Sequence, residues 1–144
     1  MTAFRHLALI AVLALPLPAV SQQDIFRDTL YNDEYNIFIV IDFYNRDVII
    51  EGQEIIGPVD GYIASTQCAH VWMMTSSEIK SHNTAIFSAT NNYGSEDFTA
   101  RLTLNSDSTF TMRHTAGSTL KFPVKNKWQK IPSTVTFRRA KAKK

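Results

Sequence analysis

Two segments that alternate between apolar and polar residues, on either side of a short polar turn, constrain the fold of this chain most. The first places Phe98, Ala100, Leu102 and Leu104 on one face, and the second places Phe110, Met112, His114 and Ala116 on one face. Between them lies Asn105–Ser108, a run of residues that favour turns. A period of two residues on both sides of a turn predicts an antiparallel hairpin with one buried face.

The rest of the chain repeats this pattern of short alternating segments separated by turn residues. Strands are predicted at 35–44, 48–56 with a bend at Gly52, 62–64, 71–80, 84–90, 97–104, 109–116, 120–122 and 134–138. Asp24–Leu30 is predicted to form a helical turn or a short helix, and Trp128–Pro132 a connector. Roughly eight short strands with regularly spaced turns are typical of β-barrels and β-sandwiches.

Consecutive hairpins usually place sequence neighbours beside each other in space, so the predicted fold is all-β, an antiparallel up-and-down barrel of about eight strands. Closure into a barrel removes exposed strand edges, and a β-sandwich is the alternative. The segment 35–44 is apolar on both faces, with Ile39 and Ile41 on one and Phe38 and Val40 on the other. We therefore expect a chain terminus or a partner to cover its outer face.

The first residues predict export. A basic start at Arg5 and His6 precedes an apolar run, and Ala19-Val20-Ser21 supplies the small residues that a signal peptidase recognises. Residues 1–21 are therefore predicted to be a signal peptide. The alternative, a transmembrane anchor, would need a longer apolar run.

The remaining chain is predicted to be a single β-barrel domain at 22–137 with a basic tail at 138–144, in a periplasmic or secreted protein. The tail holds Arg138, Arg139, Lys141, Lys143 and Lys144. Such a tail could make weak contact with a membrane surface, or could simply be solvated. The lone cysteine, Cys68, excludes an intrachain disulfide and suits a bacterial envelope protein.

The hairpin Leu102–Phe110 consists of an apolar strand, an Asp-containing turn and a Thr-Phe strand, and it resembles hairpins of lipocalin-like (calycin-like) small barrels. Around Gly52–Glu54 and Tyr93–Asp97 the chain is similar to uncharacterised exported β-barrel proteins of gut bacteria. The Gly-x-Trp of the first lipocalin strand is absent. The resemblance implies a small-barrel architecture and transfers no catalytic residue.

Side chains predicted to face the barrel interior make up the candidate ligand-binding set. Its members are Trp72, Met74, Phe110, Met112 and His114, with Asp42 as a polar anchor. An imidazole on an apolar face could hydrogen-bond a ligand, although such a histidine is more often a satisfied core residue. A buried carboxylate is costly without a partner, so Asp42 either pairs with Arg101, Arg113 or Tyr44 or faces water.

The sequence holds no recognisable motif for catalysis or for a cofactor. Gly52 and Gly57 have the spacing of a P-loop without the Lys-Ser/Thr that should follow, and neither Gly-x-Ser-x-Gly nor His-Glu-x-x-His occurs. Cys68 and His70 could bind a soft metal or activate a thiolate, but a metal site needs further ligands. We therefore expect a non-catalytic protein without a metal or cofactor.

Two functions remain open. The first is a binding protein whose barrel holds a small apolar or amphipathic ligand. The alternative is a cell-envelope interaction protein with a packed barrel, which binds a protein or glycan through the loops 57–61 and 91–96; Trp72, Trp128, Tyr62 and Tyr93 could form an aromatic platform there. A nucleic-acid partner is not expected. An internal cavity of several hundred Å³ would favour the first function, and a filled interior the second.

Overall fold

The computed structural model describes residues 24–140, so the predicted signal peptide and the tail residues 141–144 lie outside the described residues. Within this range the chain is almost entirely extended. The strands are β1 (Arg27–Asn32), β2 (Ile37–Asp42), β3 (Gly61–Ser65), β4 (Val71–Ser81), β5 (Thr84–Asn91), β6 (Asp97–Leu104), β7 (Phe110–Gly117), β8 (Lys121–Val124), β9 (Lys127–Lys130) and β10 (Thr134–Arg139).

Eight of these strands form a closed antiparallel barrel in the order β1-β10-β7-β6-β5-β4-β3-β2. The predicted up-and-down barrel is thereby confirmed, and the β-sandwich alternative is wrong. Strands β1 to β7 follow one another around the barrel, and β10 closes it between β7 and β1. The remaining two strands, β8 and β9, form a separate hairpin inserted before β10.

The barrel has two distinct ends because its strands alternate in direction. The β1–β2, β3–β4 and β5–β6 loops and the β8–β9 hairpin share one end, called here the hairpin end. The β2–β3, β4–β5 and β6–β7 loops share the other, called the opposite end. Residues that are far apart in the sequence therefore meet at each end.

Aromatic rings fill the interior from the opposite end to the hairpin end. The ring of Phe43 lies 5.9 Å from Phe26 and 6.3 Å from Phe87, and Phe98 lies 6.0 Å from Phe87 and 5.4 Å from Trp72. These side chains are at most 3% exposed. A void that admits water would give accessible surface to the side chains around it, so the interior is packed rather than hollow.

Both ends of the barrel are covered by apolar side chains. Phe26 and Phe43 lie at the opposite end, where the Phe43 N–H donates to the Phe26 carbonyl at 3.0 Å. At the hairpin end the β8–β9 hairpin contributes Phe122, which is fully buried in the core. The hairpin is anchored because Trp72 Nε1 donates to the carbonyl oxygen of Lys121 at 3.0 Å.

The long β2–β3 loop covers the outer face of β2, β3 and β4. Ile50 from this loop forms a second apolar cluster with Ala64 and Val71, and Phe38 and Val59 pack against it. The two-faced apolarity of β2 is therefore explained by the chain's own loop. The predicted cover by a chain terminus or a partner is wrong for this face.

Three segments differ from their predicted secondary structure. Arg27–Asn32 is a strand, not a helical turn, because β2 and β10 supply backbone partners on both sides. Only an isolated bridge between Val48 and Val59 forms in the predicted strand 48–56, and Glu54–Ile56 is a 3₁₀ turn. Lys127–Lys130, which overlaps the predicted connector, pairs with β8 as β9.

The hairpin of β6 and β7 agrees with its prediction except near its far end. The two strands pair from Leu104–Phe110 to Phe98–Gly117, with a bulge between Thr99 and Ala100. The bulge interrupts the alternation, so Ala116 is exposed although its sequence position predicted an apolar face.

Candidate functional site

Four of the six predicted ligand-binding residues lie in the packed interior. Trp72, Met74, Phe110 and Met112 face inward as predicted, and none is more than 2% exposed. They contact other core side chains. In this conformation they fill the barrel rather than surround a space for a ligand.

His114 lies at the edge of the core, half-buried beside a small cleft at the hairpin end. Its ring stacks on Phe98 at 5.7 Å, and Nε2 donates to the carbonyl oxygen of Ser118 at 2.9 Å. The cleft, which Met112 and Leu120 also line, has a volume of about 80 Å³. That is well below the roughly 300 Å³ at which pockets for drug-sized ligands begin.

Asp42 is buried, but at the opposite end of the barrel from this cleft. Its Oδ1 accepts the backbone N–H groups of Tyr44 at 3.0 Å and Asn45 at 2.9 Å, and its Oδ2 accepts Arg27 Nε at 3.1 Å. Burial alone would raise the pKa of Asp42, but these donors outweigh it and hold the pKa below 3.8. Asp42 therefore closes a turn, and its charged partner is neither Arg101 nor Arg113.

The hairpin end carries a cluster of aromatic residues, called here the aromatic site, with His70 at its centre. The His70 ring lies 6.0 Å from both Tyr93 and Trp128, 6.1 Å from Phe122 and 6.3 Å from Trp72. These residues come from the β3–β4 loop, the β5–β6 loop, both strands of the β8–β9 hairpin and β4. Only closure of the barrel brings these segments together.

Exposure divides the aromatic site into two layers. Tyr93 is 81% exposed and Trp128 is 53% exposed, whereas His70 is 8% exposed and Phe122 and Trp72 are fully buried. Two large apolar rings thus lie at the surface above a buried imidazole. Large exposed rings that are held by their neighbours are typical of binding surfaces.

His70 forms no hydrogen bond with the described residues. Burial lowers the pKa of His70 below 6.5, while Glu96 acts in the other direction. The lowered pKa favours the neutral imidazole, which offers one N–H donor and one nitrogen acceptor. Neither ring nitrogen of His70 is among the fully buried polar atoms without a partner, so the ring can donate a hydrogen bond to a ligand or accept one from it.

The loop that presents Tyr93 is held in place by two asparagines. Asn91 Oδ1 accepts the N–H of Ser95 at 3.0 Å, and the Gly94 N–H donates to the Asn91 carbonyl at 3.0 Å. Asn92 Oδ1 accepts the N–H of Val71 at 2.7 Å, which ties the loop to β4. A ring on such a braced loop loses little conformational entropy on binding.

Charged groups border the exposed rings. Lys121 Nζ lies 4.9 Å from the centre of the Trp128 ring and 3.3 Å from Glu96 Oε1. The lysine therefore orients the indole from one side while the carboxylate balances its charge. The rim offers both hydrogen-bond donors and acceptors next to an apolar surface.

The sequence predicts the exposed rings of this site but not its centre. Tyr93 and Trp128 were considered as platform residues, whereas Trp72 lies beneath the surface and Tyr62 packs against Phe38 on the outer barrel face. His70 was considered only with Cys68. The only local signal is the position of His70 between a turn and an alternating strand. This position does not reveal the aromatic neighbours of His70, which come from distant segments.

Among residues 24–140, no group of three or more His, Cys, Asp or Glu side chains lies close enough to hold a metal ion. The same part of the chain contains no helix of the length and apolarity needed to cross a bilayer.

No protein-family model matches the chain, and neither the curated proteins nor the solved structures include a significantly similar one.

Proposed function

We propose that this protein is a non-catalytic binding module that recognises a carbohydrate through the aromatic site. The single observation behind the proposal is the exposed pair Tyr93 and Trp128, held 6.0 Å from the buried and unpartnered His70 ring. The proposal corresponds to the second of the two functions left open by the sequence, an exported envelope protein that binds through its loops.

The chemistry of the aromatic site suits a sugar better than a purely apolar ligand. A pyranose ring has an apolar face of C–H groups that packs on an indole or phenol ring, and hydroxyl groups around its edge. The donors and acceptors for those hydroxyls are at hand in Lys121, Glu96 and the neutral His70. A purely apolar ligand would leave the His70 ring without a hydrogen-bond partner on desolvation.

The packed interior supports a surface site over an internal one. Four of the residues proposed from the sequence as a ligand lining, Trp72, Met74, Phe110 and Met112, are at most 2% exposed. An internal apolar ligand would have to displace several of these side chains, and disrupting such packing costs about 2–5 kcal/mol per large residue.

The second candidate function is a smaller form of the first hypothesis, in which the cleft beside His114 binds a ligand of a few heavy atoms. The observation in its favour is that Met112 and His114, both predicted ligand residues, line that cleft together. Its volume of about 80 Å³ limits the ligand to a size near that of two or three water molecules.

The test is a titration of ¹⁵N-labelled protein with soluble cello-, chito-, xylo- and manno-oligosaccharides. The readout is the chemical shift of the two indole N–H resonances. We expect at least one sugar to shift the Trp128 resonance much more than that of the buried Trp72. Tyr93→Ala and Trp128→Ala should each weaken binding by about tenfold or more, since exposed aromatic anchors typically contribute over 1 kcal/mol.

The control is Ile55→Ala, which removes a fully exposed apolar side chain from the β2–β3 loop. This variant should bind as the parent protein does. Unchanged binding in both aromatic variants would overturn the proposal, and shifts confined to His114 and Met112 would favour the cleft instead.

A further inference from the structure

A groove on the outer face of the barrel, away from the aromatic site, contains two arginines side by side. Arg101 of β6 and Arg113 of β7 are directly opposed in the β6–β7 register. With His114 and Thr115 they line an open groove of about 340 Å³. Side chains that are directly opposed on one face of an antiparallel pair have Cβ atoms about 5 Å apart, so the two guanidinium groups share the groove.

These two arginines differ from the other arginines of the described chain in having no acidic partner. Arg27, Arg46, Arg138 and Arg139 each lie within 4.0 Å of a carboxylate. Across residues 24–140, neither Arg101 nor Arg113 forms an ion pair or a side-chain hydrogen bond. Like charges that are directly opposed on a sheet destabilise it, and here no counter-charge from the protein offsets that cost.

The surroundings of the pair are neutral and rich in hydroxyl groups. Across the sheet, Arg101 is opposed by Ile86 on β5, and Arg113 by Thr134 on β10. Along the strands, the residues two positions away are Thr99 and Thr103 beside Arg101, and Thr111 and Thr115 beside Arg113. No carboxylate at these positions competes with an external anion for the guanidinium groups.

A bulge in β7 shapes the groove. Thr99 opposes Ala116 and Ala100 opposes His114, so Thr115 is the extra residue. A regular strand would send consecutive side chains to opposite faces, yet residues 113, 114 and 115 all line the groove. Bulges redirect side chains in this way and are frequent beside binding sites.

Hydrogen-bonding capacity restricts what the groove can bind. His114 Nε2 is engaged by the Ser118 carbonyl, and Thr115 Oγ1 donates to the Thr99 carbonyl at 3.0 Å. The free donors are therefore the two guanidinium forks, each of which matches a pair of oxygens on one anion. A carboxylate has two oxygens and satisfies one fork, whereas a sulfate or phosphate group has enough oxygens for both.

We propose that Arg101 and Arg113 form a binding site for a single tetrahedral oxyanion, a sulfate or phosphate group, held between the two forks. The site is separate from the aromatic site and does not depend on carbohydrate binding there. The group could be a free inorganic ion or an ester on a larger molecule, and the shared chemistry is the tetrahedral anion.

The test uses the Nε–Hε resonances of arginine in ¹⁵N-labelled protein at low ionic strength. Sodium sulfate or phosphate should shift the Arg101 and Arg113 resonances saturably, whereas sodium chloride at matched ionic strength should not. Acetate should bind at least about tenfold more weakly than sulfate, because a carboxylate can occupy only one guanidinium fork. Glucose 6-phosphate and glucose 6-sulfate distinguish the sources: tighter binding than the inorganic ions indicates an ester ligand, and equal binding a free ion.

The matched variants are the double changes Arg101→Gln/Arg113→Gln and Lys125→Gln/Lys127→Gln, both of which remove two exposed cations. The Arg101→Gln/Arg113→Gln variant should no longer be stabilised against heat by sulfate. Without sulfate, this variant should unfold at a higher temperature than the parent protein, because the repulsion between the two arginines is gone. The Lys125→Gln/Lys127→Gln variant should still be stabilised against heat by sulfate.

Three outcomes would overturn the proposed anion site. They are a response to chloride equal to that for sulfate, loss of the sulfate response in the lysine variant, and Arg101 and Arg113 resonances that do not shift with sulfate. Acetate as effective as sulfate would overturn the assignment of a tetrahedral anion.

Discussion

Asp42 illustrates how one side chain determines where a strand ends. It is the last residue of β2, and its Oδ1 accepts the N–H groups of the next turn, from Tyr44 and Asn45. Its other oxygen binds Arg27, the first residue of β1 and its register partner across the sheet. The carboxylate therefore satisfies backbone donors that the sheet leaves unpaired at this end of the barrel.

Replacing Asp42 should destabilise the fold rather than affect ligand binding at the hairpin end. We expect Asp42→Ala to lower the free energy of unfolding by about 2 kcal/mol, since two backbone N–H groups and the Arg27 guanidinium lose their acceptor. Asp42→Asn keeps an acceptor oxygen and should cost about 1 kcal/mol. Urea denaturation measures both values, and Asp47→Ala, which removes an exposed carboxylate nearby, should leave the midpoint unchanged.

The same carboxylate makes a defined contribution to acid sensitivity. Because the folded-state pKa of Asp42 lies below the ordinary 3.8, its stabilisation is complete above that value and is lost as the pH falls through the folded-state pKa. The acid unfolding of Asp42→Asn should therefore show a weaker dependence on pH below about 4 than the parent shows. Parallel pH profiles of the two proteins would contradict this account.

At the scale of elements, β3 depends on a glycine. A Cβ added at Gly61 would lie 2.5 Å from the Val40 carbonyl oxygen and 2.9 Å from both Ile41 Cγ2 and Met74 Sδ. These contacts come from β2 and β4, the two strands that flank β3. The absence of a side chain lets three strands approach closely at the opposite end of the barrel.

We expect Gly61→Ala to lower the free energy of unfolding by about 2–3 kcal/mol, because the nearest clash is with backbone that cannot move independently. The comparison is Gly52→Ala in the β2–β3 loop, where an added Cβ meets nothing within 4 Å. That residue has a φ of 81°, so its substitution should cost about 1 kcal/mol through backbone strain alone. Thermal or urea unfolding of the two variants side by side measures the difference, and equal costs would exclude the steric explanation.

The β6–β7 hairpin shows what local sequence can predict about an element. Its strands and its turn were predicted because both lie within a stretch of consecutive residues and obey one period. Strand β1 was predicted wrongly because Arg27–Asn32 becomes extended only by pairing with β2 and with β10, over 100 residues later. Pairing partners at such a distance leave no local signal.

At the scale of the whole molecule, the barrel closes between β1 and β10 through its shortest ladder, and we expect this to be its weakest seam. It pairs Leu30 with Arg139 and Tyr31 with Arg138, whereas β5 and β6 pair along their full length. The seam is reinforced by Arg138, whose Nε and Nη2 donate to the Asp33 carboxylate at 2.8 and 3.0 Å. An ion pair of this kind therefore supplements a short ladder.

Amide protons at this seam should exchange with solvent at least about tenfold faster than the amide protons between β5 and β6, because short ladders open by local fluctuation. Arg138→Ala should accelerate exchange at the β1–β10 seam without changing that between β5 and β6. Hydrogen-exchange NMR measures both rates, and Lys80→Ala on β4 serves as the control for loss of one exposed cation. Uniform exchange around the barrel would contradict the assignment of a weak seam.

The candidate site was less predictable from sequence than the fold. The inward direction of Trp72, Met74, Phe110 and Met112 followed from alternation alone, but alternation does not tell a filled barrel from a hollow one. That outcome depends on how the side-chain volumes of opposed strands sum across the interior. The pair Arg101 and Arg113 came from adjacent strands whose exact register, including the bulge, only the pairing specified.

By itself, the sequence of this protein determined that the chain would form short antiparallel strands with one apolar face, because alternation and turn chemistry act over a few residues. Three features depend on tertiary contacts: the loop around Ile50 covers β2, the β8–β9 hairpin covers one end, and His70 lies among aromatic rings from four segments. These are contacts between residues distant in sequence, and their formation depends on volume and register in the closed barrel, which no local pattern contains.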